Sequence, residues 1–176
     1  MSNPPAQAPD DAPKPGLAIT IEPYDADGVQ WLVTQAEAEL VERYGQLAES
    51  EQGLGTQEFN LPFGAFVLAR DGAEGQVIGG VGLRVVGSST GEIKRLWVDP
   101  GWRGRGIGRI IMVQAEAVGL ALGLSRLRLS TGWLQPEAIA LYESAGWTRL
   151  DLTFDGEPIP DGWVLFSKDL PSASQA

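Results

Sequence analysis

Apolar and polar residues alternate over Leu17 to Ile21 and the run stops at Pro23, which predicts a short first strand. The spacing then lengthens. Val29, Leu32, Val33, Ala36, Leu40 and Val41 recur at helical intervals between about Gly28 and Tyr44, with Asp25 or Asp27 placed to cap the start and Gly45 the end. Leu47 to Pro62 is polar and carries Gly53 and Gly55, as a loop with one helical turn would. Phe63–Arg70 and Val77–Val86 read as a hairpin around the Asp71–Gln76 turn, followed after Gly87–Gly91 by a strand over Glu92–Val98 that Asp99-Pro100 stops.

The second half alternates between the two periods. Ile107, Ile110, Ile111, Val113, Val118 and Leu122 predict a well-buried helix over about Gly106–Leu122, closed by Gly123. Ser125–Ser130 is a short strand with Leu127 and Leu129 on one face. Pro136 suits the first turn of a helix carrying Ile139, Leu141 and Tyr142, which Gly146 ends. Trp147–Phe154 and Trp163–Leu170 read as two antiparallel strands around the Asp155–Gly162 turn. The predicted order is therefore β-α-loop-β-β-β-α-β-α-β-β.

Within 176 residues this is one domain, about residues 17–170, and a 43% hydrophobic fraction suffices for its core. Residues 1–16, with Pro4, Pro5, Pro9 and Pro13 and little apolar content, read as a disordered leader without the cationic start and apolar centre of a signal peptide. Residues 171–176 read as a loose tail. No apolar run nears the ~20 residues of a membrane span, so no membrane partner and a cytoplasmic location are expected. The chain has no cysteine and no histidine, which excludes thiolate catalysis, disulfides and histidine-cysteine metal sites. Carboxylates could still hold a hard cation such as magnesium or calcium. A net charge of −10 argues against a nucleic-acid partner.

Four arginines nevertheless cluster at Arg95, Arg103, Arg105 and Arg109, around the turn Val98-Asp-Pro-Gly-Trp-Arg-Gly-Arg-Gly-Ile-Gly108. Arg103, Gly104, Arg105, Gly106, Ile107 and Gly108 place bare backbone N–H groups and two guanidinium groups at a helix N-terminus, a site for an anion such as pyrophosphate. The string contains no Gly-x-x-x-x-Gly-Lys-Ser/Thr. Its glycines follow apparent hairpin strands, unlike a dinucleotide fingerprint.

The remaining pattern, Arg103-x-x-Gly106-x-Gly108 after a strand and opening a helix, resembles the GNAT superfamily of acetyl-CoA-dependent N-acetyltransferases. A second match lies in Gln135-Pro-Glu-Ala-Ile-Ala-Leu-Tyr-Glu-Ser-Ala-Gly-Trp147. Arg43-Tyr44-Gly45, Glu92-Ile-Lys-Arg-Leu-Trp-Val98 and Gln135-Pro-Glu-Ala further resemble a bacterial subgroup. The resemblance spans about residues 17–170. It implies an α/β (α+β) fold with a mixed, mostly antiparallel sheet of about seven strands flanked by helices, its fourth and fifth strands parallel and splayed. It also implies acetyl-CoA as co-substrate and no metal. The pantetheine arm would lie against Leu96, Trp97 and Val98, and the pyrophosphate against the amides of Arg103 to Gly108, with Arg103, Arg105 and Arg109 adding charge. Gln135, where relatives carry asparagine, would contact coenzyme A or cap its helix.

The expected reaction is acetyl transfer to a primary amine by direct attack in a ternary complex. A base must free the amine, and without histidine a carboxylate is needed. Glu92 is the first choice, with a strand-edge or surface carboxylate paired with Lys94 or an arginine as the alternative; Glu37, Glu39 and Glu42 form a second group. Tyr142 would serve the departing thiolate as acid or hydrogen-bond donor. The acidic composition, with Trp31, Tyr44, Phe59, Phe63, Trp133 and Trp163 in acceptor-side segments, favours a small cationic amine metabolite. A non-catalytic acyl-CoA-binding or sensing module would share the cleft. Homodimerisation is common in such proteins, and the apolar late hairpin permits it.

Overall fold

The computed structural model describes residues 16–48 and 55–171; the expected leader up to residue 15, the tail from 172 and the middle of the Leu47–Pro62 loop lie outside them. Seven strands form one sheet: β1 (Leu17–Glu22), β2 (Gly64–Asp71), β3 (Val77–Val85), β4 (Thr90–Val98), β5 (Arg126–Gly132), β6 (Thr148–Arg149) and β7 (Trp163–Asp169), in the spatial order β1-β2-β3-β4-β5-β7-β6. The helices are α1 (Asp27–Tyr44), α2 (Ile107–Ala121) and α3 (Pro136–Ser144), with short 3₁₀ turns at Thr56–Phe59 and Pro100–Trp102. This is the predicted order of elements, and β4 and β5 are the parallel pair.

Alternation along β2 shows how two layers of helix find their faces. Phe66 and Leu68 point to the side covered by α1, where they meet Val29, Leu32 and Val33. Val67 and Ala69 point to the other side, packed with Ile107, Ile111, Met112 and Ala115 of α2. Burying both faces makes the sheet the centre of the molecule. Leu127 and Leu129 of β5 join the α2 side as their spacing predicts.

Three local expectations are corrected. Neither Asp25 nor Asp27 caps α1: Ala26 occupies the N-cap without a side-chain bond, and Asp27 sits in the first turn, where its charge favours the helix dipole. Val113 is half-exposed, and Met112 takes the buried position instead. The strand predicted over Trp147–Phe154 is only Thr148–Arg149, because the chain next closes on itself. Thr153 N–H donates to Glu157 at 2.7 Å and Gly156 N–H to Thr153 at 3.0 Å.

Two irregularities shape the cleft. Pairing between β4 and β5 covers only Thr90–Glu92 with Arg126–Arg128, although β4 runs on to Val98 and β5 to Gly132. The strands therefore part beyond Glu92. On its other edge β4 pairs Lys94 with Gly82 and Trp97 with Gly80, so Val81 faces two residues, Arg95 and Leu96. This bulge puts Arg95 at φ 59, in the left-handed region that costs a side-chain-bearing residue about 1–2 kcal/mol.

Candidate active site

The wedge between β4 and β5 opens into a cleft of about 580 Å³. One wall is β4 from Ile93 to Val98 and the other is β5 from Leu129 to Gly132; the turn before α2, the start of α3 and the C-terminal half of α1 complete it. Where the cleft meets the start of α2, Gly104 (φ 74) and Gly106 (φ 80) adopt left-handed backbone, which glycine alone takes without strain. No atom lies within 4 Å of a Cβ built on either, so the turn faces open space. Gly106 is the N-cap of α2, and the first helical bond runs from Ile110 N–H to Gly106. The amides of Ile107, Gly108 and Arg109 precede that bond and have no partner within the helix. Gly108 faces Leu141 of α3, which a Cβ would approach to 3.1 Å.

The site residues expected from sequence divide clearly. Leu96, Trp97, Val98, Arg103, Gly104, Gly106, Ile107, Gly108, Arg109, Gln135 and Tyr142 all line the cleft; Arg105 and Glu92 do not. Arg105 is exposed, stacked 4.8 Å over the Trp102 ring and donating to the Gly101 carbonyl at 3.2 Å. Arg109 donates to Ser144 Oγ at 2.8 Å and so ties α2 to the end of α3. Gln135 makes no side-chain cap, which leaves its amide at the cleft.

Tyr142 is buried against Trp147 and Phe166, ring centroids 6.0 and 5.4 Å away. Burial pushes its phenol well above the ordinary tyrosine value, so the hydroxyl keeps its proton across the working pH range.

Glu92 is also buried, but its oxygens are committed. Oε2 accepts from Arg84 Nε at 2.9 Å and from a terminal Arg84 nitrogen at 2.6 Å, and Oε1 lies 3.3 Å from Arg128 Nε. The three residues sit side by side across β3, β4 and β5 at the last paired position before the strands part. The pairing of the alternative reading is present, with Arg84 and Arg128 as partners, but Glu92 is buried between paired strands and not at an edge or surface. Arg128 is further covered by Phe154, 4.3 Å from its ring.

Of the second carboxylate group only Glu39 reaches the cleft. It accepts from Trp97 Nε1 at 2.9 Å, from Arg103 at 2.6 Å and from Arg43. Burial pushes its carboxyl up, but the hydrogen bonds from Arg103, Arg43 and Trp97, with the Arg103 charge, outweigh this and hold it below the usual carboxylate range. Arg43 also donates to the Leu134 carbonyl at 2.7 Å and pairs with Glu137, while the Tyr44 hydroxyl accepts from Leu134 N–H at 3.1 Å. The end of α1 is thereby strapped to the β5–α3 connection across the open wedge. A Cβ on Gly132 would meet the Tyr44 oxygen at 2.1 Å, so this close approach requires glycine.

The acceptor-side aromatics also divide: Tyr44, Trp133 and Trp163 line the cleft, whereas Trp31, Phe59 and Phe63 do not. Trp31 packs edge-on against Trp97 and Phe59 lies in the core beneath α1. Sequence reasoning did not assign roles to Lys94, Arg95, Ser130, Thr131 and Asp161, all of which line the cleft. The signals for the first two were the Glu92–Val98 string, the place of Arg95 in the arginine cluster and the pairing of Lys94 with Glu92 offered as an alternative. Among the described residues no cluster of side chains could hold a metal ion, and no helix is long and apolar enough to cross a membrane.

The acetyltransferase (GNAT) family profile matches residues 29–147. An IAA acetyltransferase of Azospirillum brasilense is 34% identical over 133 residues, which cover 76% of this chain and 85% of that protein. A mycothiol acetyltransferase of Beutenbergia cavernae is 40% identical over 81 residues, 46% of this chain but only 27% of that protein's length. In fold, the chain is similar to a GNAT family acetyltransferase from Elizabethkingia anophelis solved with acetyl-CoA bound: TM-score 0.62, 21% identity, covering 89% of this chain and all of that one. A seven-stranded sheet parted at its parallel pair, an open glycine turn capping α2 and a family match across both make this chain a member of the GNAT acetyltransferase family, an enzyme family that uses acetyl-CoA.

Proposed function

We propose that residues 17–170 act as one catalytic domain that transfers the acetyl group of acetyl-CoA to a primary amine, by direct attack while both substrates are bound. The observation that carries this reading is the early end of β4–β5 pairing at Glu92 and Arg128. Beyond it, the facing edges of Leu96, Trp97 and Val98 are free of ladder bonds to β5, so an extended pantetheine chain can pair there. The wedge leads from the amides before α2 to the Tyr142 hydroxyl.

In this mechanism the amides of Ile107 and Gly108, with Arg103 and Arg109, hold the pyrophosphate. The amine nitrogen forms a bond to the thioester carbonyl carbon and the carbon–sulfur bond breaks. Tyr142 donates its hydrogen bond, or its proton, to the departing sulfur, a role that suits a phenol kept neutral by burial. The proton shed by the amine passes to solvent by way of Asp161, which is exposed and lies among the lining residues. We assign Asp161 this task in place of Glu92, because Asp161 lines the cleft whereas Glu92 does not and turns its carboxylate to Arg84. The acetyltransferase names of the relatives support the reaction class, and those relatives differ in substrate by name.

Steady-state release of free thiol from acetyl-CoA, with the concentrations of acetyl-CoA and amine varied together, tests the proposal. Thiol release that requires the amine, with intersecting reciprocal plots, is expected. Parallel plots would mean an acetyl-enzyme and overturn direct attack. Acetyl-CoA binding without thiol release for any amine would favour the sensing module.

A further inference from the structure

Arg103 lies just before Gly106, the N-cap of α2, and its side chain is already fastened along one edge. Nε donates to the Val98 carbonyl at 2.8 Å, and one terminal nitrogen, Nη2, donates to Glu39 Oε2 at 2.6 Å. In a planar guanidinium those two nitrogens share an edge. The other terminal nitrogen, Nη1, lies opposite that edge and makes no bond among the described residues, so it keeps both of its N–H donors. The side chain borders the cleft with 32% of its surface exposed. Its unfastened end is the part left for a ligand.

The carboxylate that fastens it is itself held by two further donors. Glu39 Oε1 accepts from Arg43, one turn along α1, and Oε2 accepts from Trp97 Nε1 at 2.9 Å as well as from Arg103. Trp97 is buried in β4 beneath α1, so Glu39 cannot turn aside without losing its bond to a fixed indole. By this route α1 sets the side chain of a residue in the turn before α2. Charge alone would not favour a carboxylate here, because an acidic group beside a cation lowers the local positive potential and opposes a polyanion. A gain in geometry has to outweigh that loss. A free arginine gives up rotamer freedom when it takes a ligand, whereas one already set on two acceptors gives up little.

We infer that Glu39 is a positioning residue for the donor substrate: it holds one edge of Arg103 in place, so that the Nη1 end is preset for the pyrophosphate of acetyl-CoA. The inference rests on the proposed acetyl-CoA reaction and adds to it a residue of α1, a helix far in sequence from the turn it serves.

The test is a calorimetric titration of the full-length protein with acetyl-CoA and with acetyl-dephospho-CoA, which keeps the pyrophosphate but lacks the ribose phosphate. In Glu39→Gln, which preserves the size of the side chain, the Kd of acetyl-CoA is expected to rise about 3- to 10-fold, the range for immobilising one long side chain. The same factor should appear with acetyl-dephospho-CoA. In an Arg103→Met background, adding Glu39→Gln should change the Kd of acetyl-CoA by less than about twofold, because the two residues act through one contact. An unchanged or tighter Kd in Glu39→Gln means that only its charge is felt, and overturns the inference. So does an undiminished effect of Glu39→Gln beside Arg103→Met, the mark of a general structural role, or a factor that disappears with acetyl-dephospho-CoA, which would move Arg103 to the ribose phosphate. Should Glu39→Gln not fold, Arg103→Lys decides: it keeps the charge without the fork, and wild-type affinity for acetyl-CoA in that variant overturns the inference as well. A wild-type protein that does not bind acetyl-CoA would instead remove the acetyl-transfer reading beneath it.

Discussion

Replacing Glu92 separates a catalytic carboxylate from one that holds the wedge together. Glu92→Ala leaves Arg84 with only the more exposed Glu58, and Arg128 with only the face of Phe154. Stripping one partner from a buried ion pair costs about 3–5 kcal/mol. Here the retained Glu58 pair and the partial exposure of both guanidinium groups (21% and 29%) reduce that to about 2–3 kcal/mol. For a chain of this size the melting temperature should fall by roughly 4–12 °C. Glu92→Gln keeps the shape and one acceptor oxygen but turns an amide N–H₂ toward a guanidinium, so a smaller fall is expected.

Calorimetric unfolding and steady-state thiol release, measured on the same preparations, read out both roles. If Glu92 clamps the point where β4 and β5 part, Glu92→Gln lowers stability and weakens acetyl-CoA binding, while kcat at saturation changes by less than about tenfold. A general base carries about 10²- to 10⁴-fold in rate. A Glu92→Gln enzyme with an unchanged melting temperature, a kcat reduced at least 100-fold and an altered acid limb would refute this reasoning. Glu92 would then be restored as the base.

Tyr142→Phe should bind acetyl-CoA normally by calorimetry yet lose roughly 10- to 100-fold in kcat; because burial raises the wild-type phenol, no alkaline loss of activity should arise from it near its ordinary value of 10.0. Gly106→Ala meets no neighbour within 4 Å but must hold φ 80; its strain of about 1–2 kcal/mol should appear chiefly as about a tenfold rise in the Kd of acetyl-CoA, measured by titration. Gly132→Ala displaces Tyr44 and its bond to Leu134, so KM for the amine should rise, with partial recovery of thermal stability when Tyr44→Ala is added. For Glu39, the folded carboxyl lies below its ordinary 4.5. Its stabilising effect is therefore fully present above that value and fades as pH falls through the depressed folded value. Acid unfolding of Glu39→Gln followed by circular dichroism should lack that portion of the transition.

Most of the architecture could be read from local pattern, because each helix and strand buries a face whose period is visible within a dozen residues. The glycine turn before α2 was equally legible: the need for glycine at 104 and 106 is a property of their own backbone. What failed locally was small. Two residues of β6 replaced eight, since hydrogen bonds inside the Thr153–Glu157 turn outcompete strand pairing for an apolar-rich segment. The site's polar partners were far less legible. Glu92 was correctly placed on β4, but its commitment to Arg84 and Arg128 depends on the register of three strands separated by long connections. Glu39 stood out no more than Glu37 or Glu42, because only the packing angle of α1 decides which one meets Arg103 and Trp97.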